Sequence, residues 1–293
     1  MAVRATVEAL LRERKLDRTL TSAIPERLGE DAVAPLDVDA LDLALAGLTG
    51  LQRGLAGGLP RGQVSEVVGP ASSGRTGLVW AALAAATRRG ETVALIDTFD
   101  RFDPPTAAAC GIVLPRLLWV RGQAVSKTAV AIDPAWLPGV RAVNGPGTFV
   151  ERVIDRAIKS LNLVVQSGVC TLVAIDLIDV PAPALRRLPA ATWFRIERAI
   201  EGSDTAVVIV AAQSVARSSG GRSIALGTGI PTSSAARQDV PSRQEVPSRQ
   251  VLWKGDHDRT RRLGGVRSGA AVTAARWSHA RHVAVRTRFV HAV

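Results

Sequence analysis

A loop of small residues lies between an apolar run and a helical pattern, and its spacing is that of a phosphate-binding loop. The apolar run covers residues 64–68, and the helical pattern opens at Thr76. The loop comprises Gly69, Pro70, Ala71, Ser72, Ser73, Gly74, Arg75 and Thr76. Small residues let successive backbone N–H groups surround a phosphate, and the helix N-terminus adds positive partial charge. We expect the loop to bind nucleotide phosphates and the Thr76 hydroxyl to contact Mg²⁺.

Position 75 departs from the usual pattern, because it carries Arg where such loops carry Lys. Lys presents a compact charge to the β- and γ-phosphates, and the longer planar guanidinium does not take the same position. The substitution therefore leaves phosphate binding open and argues against turnover. The alternative that this segment is an ordinary Gly/Ser turn between a strand and a helix also stays open.

A second candidate is Asp176, which ends the apolar run Leu-Val-Ala-Ile-Asp at residues 172–176. An acid at the end of a buried strand is expected where a protein holds the water shell of Mg²⁺. Many parallel strands end in an acid, so the run alone is weak support. Its position downstream of the phosphate loop favours the metal role.

The elements that must position these residues alternate along the chain. Because the predicted strands are apolar throughout, the pattern indicates an α/β fold with a mainly parallel sheet flanked by helices. The predicted strands cover 64–68, 93–96, 117–120, 169–175 and 206–212, and the predicted helices cover 76–88, 105–110, 148–167 and 190–201. Beyond residue 250, alternating patterns predict basic antiparallel edge strands at 251–254, 270–277 and 282–289.

Charge and composition divide the chain into four regions. The net charge is +11, and residues 217–293 carry 14 Lys and Arg against 4 Asp and Glu. We predict an N-terminal amphipathic helix with a linker (1–35), a nucleotide-binding core (36–225), a flexible loop holding a hexad repeat (226–250) and a basic β extension (251–293). The basic region is expected to attract nucleic acid or an acidic partner.

Composition also excludes several classes of protein. Cys110 and Cys170 are the two cysteines, and no closely spaced Cys/His cluster accompanies them, which argues against a disulfide framework or a structural zinc site. The N-terminal segment lacks an uninterrupted apolar stretch, and no run of about 18 apolar residues occurs. We therefore expect a cytoplasmic protein without a membrane span.

Several segments resemble RecA, and they occur in RecA order. They are Gly-Gly-Leu-Pro-Arg-Gly (57–62), the phosphate loop (69–76), Leu-Ile-Asp (95–97), Asp103-Pro104, Ala-Cys-Gly-Ile (109–112), Leu117-Leu118 and Gln213. The similarity covers residues 36–225, and the RecA-like P-loop fold is expected from it. Within this group the chain most resembles the ImuA branch, whose members assist translesion synthesis. That narrower similarity rests on the Arg-containing loop, the short chain and the Arg-rich C-terminal strands.

The resemblance implies roles for individual residues. Asp103 matches an acid that contacts adenine in RecA, whereas the aromatic residue that packs on the base is matched by Thr106. Gln213 matches the glutamine that senses the γ-phosphate. The acid that activates water is matched by Phe99, which cannot accept a proton. With Arg75, this implies a pseudo-ATPase in which ATP and Mg²⁺ binding is weak or vestigial.

RecA grips DNA through two loops, and the resemblance places them at residues 179–188 and 215–226. A solvated loop explains their basic residues almost as well. Together with the tail they form the predicted DNA-binding set: Arg186, Arg187, Arg217, Arg222, Arg261, Arg262, Arg286 and Arg288.

Three functions follow as hypotheses. The first is an adaptor in the SOS response and translesion synthesis, which contacts single-stranded DNA, a polymerase-like partner or RecA, associates with the nucleoid and can self-associate. The second is an active, diverged DNA-dependent ATPase or recombinase. The third is a cell-division inhibitor that binds a filament-forming partner.

Overall fold

Parallel strands that are buried on both faces form the centre of the molecule. The computed structural model describes residues 32–46, 57–124, 149–216, 221–228, 249–254, 262–274 and 280–288. The predicted N-terminal helix, most of the hexad repeat, Arg217 and Arg261 lie outside these residues.

The strands and helices within this part of the chain follow the alternation expected from the sequence. The strands are β1 (Val33–Ala34), β2 (Leu59–Pro60), β3 (Val64–Val68), β4 (Val93–Asp97), β5 (Leu117–Arg121), β6 (Leu172–Leu177), β7 (Ala206–Ala211), β8 (Arg222–Thr228), β9 (Arg249–Lys254), β10 (Arg262–Ala274) and β11 (Arg281–Arg288). The helices are α1 (Asp39–Ala46), α2 (Arg75–Arg88), α3 (Pro104–Ala109), α4 (Phe149–Ser167), α5 (Ala182–Arg187) and α6 (Ala190–Ile200), with a 3₁₀ turn at Leu114–Arg116. No described helix is both long and apolar enough to cross a membrane.

One sheet contains nine of the described strands. Its order is β11-β10-β8-β3-β7-β6-β4-β5, and β9 also pairs with β10. The strands from β8 to β5 run parallel, while β9, β10 and β11 continue the sheet in antiparallel fashion. A short antiparallel pair, β1 with β2, stands apart. The predicted α/β class with basic C-terminal strands is confirmed.

Helices cover the two faces of the sheet and create two cores. On one face, α1 and α2 pack over β3, β4 and β8 around Leu41, Leu83 and Ile224. On the other, α4, α5 and α6 pack over β3, β6 and β7 around Leu161, Ile175 and Ile196. Strands with apolar side chains on both faces suit a sheet that helices cover on both sides. Because these strands run parallel, their carboxyl ends meet at a single edge of the sheet.

The two predicted DNA loops are wrong in part, because regular structure occupies them. Residues 182–187 form α5, which begins after Pro181 and buries Ala184 and Leu185 while Arg186 and Arg187 stay exposed. Residues 222–226 belong to β8, which joins the sheet beside β3. The backbone N–H of Arg222 donates to Ser65 Oγ at 3.1 Å, so Arg222 lies in a strand and not in a loop. Arg222 is partly buried, and this burial lowers the pKa of its guanidinium group.

The C-terminal strands also differ in length from their prediction. β10 begins at Arg262 and not at residue 270, because pairing with β9 extends it across Gly264 and Gly265. The predicted alternation in β11 holds in part: Val285 is buried and His282 and Arg286 are exposed, whereas Val283 and Ala284 are both half-buried. The boundaries of the four predicted regions stay a prediction, with β8 ending at Thr228 and β9 beginning at Arg249.

Arg61 joins the amino ends of several strands. Its guanidinium donates to the carbonyl oxygens of Val33 at 3.3 Å and Asp204 at 2.9 Å, and to Glu91 Oε2 at 3.1 Å. Thr171 Oγ1 donates to the same Glu91 oxygen at 2.7 Å. Although burial opposes ionisation, these hydrogen bonds and one from Arg89 hold the pKa of Glu91 below its usual value. Arg61 therefore satisfies polar groups that precede β4, β6 and β7.

Replacing Arg61 should destabilise the fold. The Arg61 side chain is 10% exposed, so Arg61→Ala would leave buried carbonyls and Glu91 without their partner, at a cost of about 3 kcal/mol in the free energy of unfolding. Urea denaturation followed by circular dichroism measures the change. Arg198→Ala is the control, because its ion pair with Glu201 spans 3.7 Å on the surface. Equal small losses in both variants would contradict the role given to Arg61.

Candidate nucleotide site

The phosphate loop connects β3 to α2, which is the strand-loop-helix setting that the sequence predicts for it. Gly69 (φ 154°), Ser72 (φ 58°) and Gly74 (φ 98°) have positive φ angles. A Cβ atom on Gly69 would lie 2.5 Å from the carbonyl oxygen of Leu226, so glycine is required there. Gly74 precedes α2 without a side-chain cap, which leaves N–H groups of the first turn available to an anion.

Two polar groups of the loop favour an anionic ligand. Within the described part of the chain, Ser73 Oγ and Arg75 Nη1 are buried and have no hydrogen-bond partner. Arg75 is only 6% exposed, and its burial lowers the pKa of the guanidinium, while Asp176 and Asp179 oppose that shift. Buried donors are normally satisfied, so these two groups fit a phosphate bound at the loop.

Asp176 occupies the end of β6, at the same level of the sheet as Asp97 on β4. The two are register partners in the parallel pair, and Asp176 Oδ1 accepts a hydrogen bond from the Ile178 N–H at 2.8 Å. Burial raises the pKa of Asp176 to about 6, and the charges of Asp97 and Asp179 add to the shift. A bound cation would offset this cost, and Mg²⁺ is commonly held by one or two carboxylates together with phosphate oxygens. Thr76 and Asp176 are the residues that would hold it.

A cleft of about 310 Å³ opens beside the loop, and Thr76 and Asp176 both line it. The rest of its wall is largely apolar and includes Val79, Trp80 and Phe102. Trp80 and Phe102 meet edge to face, with their ring centroids 5.6 Å apart. The ring centroids of Phe102 and Trp119 are 5.2 Å apart. The space next to the predicted magnesium ligands is therefore bounded by aromatic rings on the α2 face of the sheet.

Phe99, at the position that the resemblance matches to the catalytic acid, does not line this cleft. Phe99 is 2% exposed and packs in the opposite core, with α4 and α6. Asp100 forms two hydrogen bonds to Arg121, at 2.9 and 2.8 Å, and these lower the pKa of its carboxyl group. Asp97 accepts hydrogen bonds from the N–H groups of Arg101 and Phe102 and from Trp119 Nε1. Both neighbouring carboxylates thus serve structural hydrogen bonds.

The two residues matched to adenine and γ-phosphate contacts are not among the described residues that line the cleft. Asp103 caps α3: its carboxylate accepts from the Thr106 N–H at 3.0 Å and from the Thr106 hydroxyl. Gln213 lies two residues beyond β7 and is half-buried. Their ligand contacts stay predictions. Arg186 and Arg187 lie on α5, where Arg187 pairs with Glu151 at 3.1 Å.

Glu66 is a residue that the sequence analysis missed. It lies within β3, is 2% exposed and accepts hydrogen bonds from Ser214 Oγ at 2.7 Å and the Val215 N–H at 3.0 Å. Burial raises the pKa of Glu66, and these hydrogen bonds oppose the shift. Glu66 thus holds the segment that follows Gln213 against the strand that leads into the phosphate loop. A charged residue inside an otherwise apolar strand was the available signal.

The raised pKa of Asp176 predicts a specific pH dependence. Below about pH 4 the carboxyl group is protonated whether the chain is folded or not, and above about pH 6 the folded protein carries the full cost of its ionisation. Asp176→Asn should therefore be more stable than the wild type by about 1 to 3 kcal/mol at pH 8, with the difference disappearing near pH 4. Urea unfolding without Mg²⁺ at both pH values measures it.

The exposed carboxylate of Asp155 on α4 provides the control for that measurement, since its ion pair with Lys159 is on the surface. Asp155→Asn should show no comparable change between pH 4 and pH 8. A stabilisation by Asp176→Asn that is the same at both pH values would contradict the raised pKa of the Asp176 carboxyl group.

Comparison with known proteins gives matches in the segment that carries this loop. Residues 14–132 match the RecA N-terminal domain. RecA of Acidothermus cellulolyticus is 42% identical over 97 residues, which are 31% of this chain and 26% of that protein. RecA of Clavibacter michiganensis is 31% identical over 174 residues, which are 58% and 38%. The chain thus spans about a quarter to two fifths of these relatives.

Among solved structures, the crystal structure of the RadB recombinase is 15% identical, with a TM-score of 0.46, and the match covers 88% of this chain and 96% of that one. The sequence matches show that the segment carrying the loop is similar to the N-terminal domain of RecA.

Proposed function

We propose that this chain is a RecA-like DNA-repair protein whose phosphate loop binds ATP with Mg²⁺ weakly and hydrolyses it slowly or not at all. The observation that carries the proposal is a loop backbone suited to phosphate beside side chains unsuited to turnover. Residues 69–76 would bind the phosphates, and Thr76 and Asp176 would hold Mg²⁺, which shields phosphate charge when bound. Asp103 and Gln213 would contact the base and the γ-phosphate, as the resemblance implies.

Slow hydrolysis follows from the surroundings of the loop. A water molecule that attacks phosphate needs a group to orient it, and losing such a group costs about 10²- to 10⁴-fold in rate. Phe99 faces the opposite core, and Asp97 and Asp100 are engaged in hydrogen bonds. Trp80 and Phe102 form an apolar part of the cleft wall that also contains Thr76. Arg75 adds a second departure from an active site.

The finer part of the proposal is a role as an adaptor in translesion synthesis during the SOS response. It rests on the resemblance to the ImuA branch and on the basic C-terminal region, which suits contact with DNA. A polymerase-like protein or RecA would be the protein partner, self-association would be compatible with the RecA resemblance, and the site of action would be the nucleoid in the cytoplasm.

Two other functions are the alternatives to this proposal. An active DNA-dependent ATPase or recombinase is favoured by the intact loop backbone and by Gln213, and it would form nucleoprotein filaments visible by electron microscopy. A cell-division inhibitor would need only a surface for a filament-forming partner. Overexpression would then produce long undivided cells with an unchanged mutation rate.

This protein should bind ATP but hydrolyse it slowly. We expect labelled ATP to bind in the presence of Mg²⁺ and Arg75→Ala to weaken binding about tenfold or more, because a charge-assisted contact to phosphate is lost. Hydrolysis with single-stranded DNA should stay at least about 100-fold below that of a RecA assayed alongside. Fluorescence titration and phosphate release measure the two quantities.

The control for that titration is Arg88→Ala, at the other end of α2, where Arg88 pairs with Asp37 at 2.8 Å. This variant should bind ATP as the wild type does. Rapid DNA-stimulated hydrolysis that disappears in Arg75→Ala would instead establish the active ATPase.

The adaptor function predicts a phenotype in the source cells. Deleting the gene should lower the frequency of damage-induced mutations while leaving homologous recombination intact, because the protein would assist a polymerase and not strand exchange. Mutation frequency after ultraviolet irradiation and recombination between marked alleles provide the measurements. A recombination defect of the same size would favour the recombinase.

A further inference from the structure

The three C-terminal strands carry basic side chains without acidic ones. β9, β10 and β11 together contain seven Lys and Arg residues, one His and no Asp or Glu: Arg249, Lys254, Arg262, Arg267, Arg281, Arg286, Arg288 and His282. The nucleotide site at the opposite part of the sheet instead gathers Asp97, Asp176 and Asp179. Within these three strands all charged side chains are therefore basic, which favours contact with an anion.

The register of β10 and β11 places two of these arginines directly opposite each other. Arg267 pairs with Arg286 in the antiparallel ladder, and Gln250 of β9 is opposite Arg267 on its other side. Directly opposed residues lie on one face with Cβ atoms about 4.5 to 5.5 Å apart. Two guanidinium groups are thus held at a spacing at which both can reach one phosphate group.

This pair of arginines is exposed and faces away from the core. Ala270, Val272 and Val285 are buried in the core on the face that α1 and α2 cover. Because side chains alternate along a strand, Arg267 and Arg286 project from the other face, and both are exposed. Neither forms an ion pair with any residue in the described part of the chain.

Like charges directly opposite each other destabilise a sheet, so this pair does not serve folding. The candidates in the two predicted DNA loops have other surroundings. Arg187 pairs with Glu151, and Arg222 lies in β8 with its Nε atom buried. An unpaired, opposed and exposed pair is the arrangement that a bound phosphate would relieve.

We infer, extending the DNA contact proposed above, that the exposed face of β10 and β11 binds the phosphodiester backbone of nucleic acid, with Arg267 and Arg286 holding one phosphate between them. Gln250 lies at the next position across the sheet and can donate to the same backbone. Recognition is independent of base sequence, because guanidinium groups contact phosphate oxygens and not base edges.

The test is the double variant Arg267→Gln with Arg286→Gln, titrated with a fluorescent 30-nucleotide oligo(dT) and with the corresponding duplex. Binding of single-stranded DNA should weaken about 10- to 30-fold at 100 mM NaCl, and the slope of log K against log salt should fall by about 1.4, for two lost cationic contacts. The melting temperature should equal or exceed that of the wild type, because repulsion between the strands is removed.

The matched control is Arg195→Gln with Arg198→Gln, which removes the same charge from exposed positions on α6. A second variant, Arg267→Glu, places an opposite charge beside Arg286, so the sheet keeps its stability while anion binding is lost. Arg195→Glu is its control. Equal weakening in test and control variants would overturn the inference, as would unchanged DNA affinity in the double variant.

Two further outcomes separate this inference from its alternatives. Arginine-dependent binding of polyglutamate by a protein that does not bind either DNA would overturn it in favour of an acidic protein partner. Labelled ATP should bind the double variant as it binds the wild type. If the wild type does not bind ATP while the arginine pair still determines DNA affinity, the proposed nucleotide site fails and the phosphate site on β10 and β11 stands.

Discussion

The structure depends on the register of the parallel strands β4, β6, β7 and β3. These strands are buried on both faces, so their backbone groups must pair with each other and their side chains must be apolar almost throughout. The pairing brings Asp97 level with Asp176 and places the loop after β3 at the same edge. Residues far apart in the chain thus meet in one site, and the nucleotide cleft is a consequence of how these strands align.

The two faces of the sheet separate features that are neighbours in the sequence. Leu95 and Phe102 belong to the α1 and α2 core, whereas Phe99 belongs to the core under α4 and α6. The segment after β4 therefore places the ring of Phe102 in the cleft wall and the ring of Phe99 in the opposite core. Asp97 stabilises the turn between Phe99 and Phe102 by accepting hydrogen bonds from the N–H groups of Arg101 and Phe102. Phe99, which the resemblance matches to a catalytic acid, therefore lies on the side of the sheet opposite Phe102.

β8 joins the two parts of the sheet. It runs parallel to β3 on one side and antiparallel to β10 on the other, so a core that begins under the phosphate loop continues to Val272 and Val285. The basic strands and the candidate nucleotide site therefore belong to one sheet. Leu226 and Gly227 of β8 also lie against Gly69 and Pro70 of the phosphate loop. A nucleotide at the loop and a nucleic acid on the outer strands would consequently contact the same sheet.

Local patterns in the sequence were enough for the strand β3, the ends of α2 and α4 to within a residue, and the phosphate loop, because hydrophobic periodicity and small-residue spacing act over short distances. The position of Asp176 near the end of a strand was also predicted, since it ends an apolar run, while its contact with Mg²⁺ stays a prediction. Contacts between distant segments decided the rest. Arg61 and Glu66 gain their roles from carbonyl and hydroxyl groups more than 100 residues away, and β8 exists because β3 and β10 offer it backbone partners. Arg267 and Arg286 likewise lie opposite each other because of the register between β10 and β11. The alternation of side chains within one strand does not determine that register.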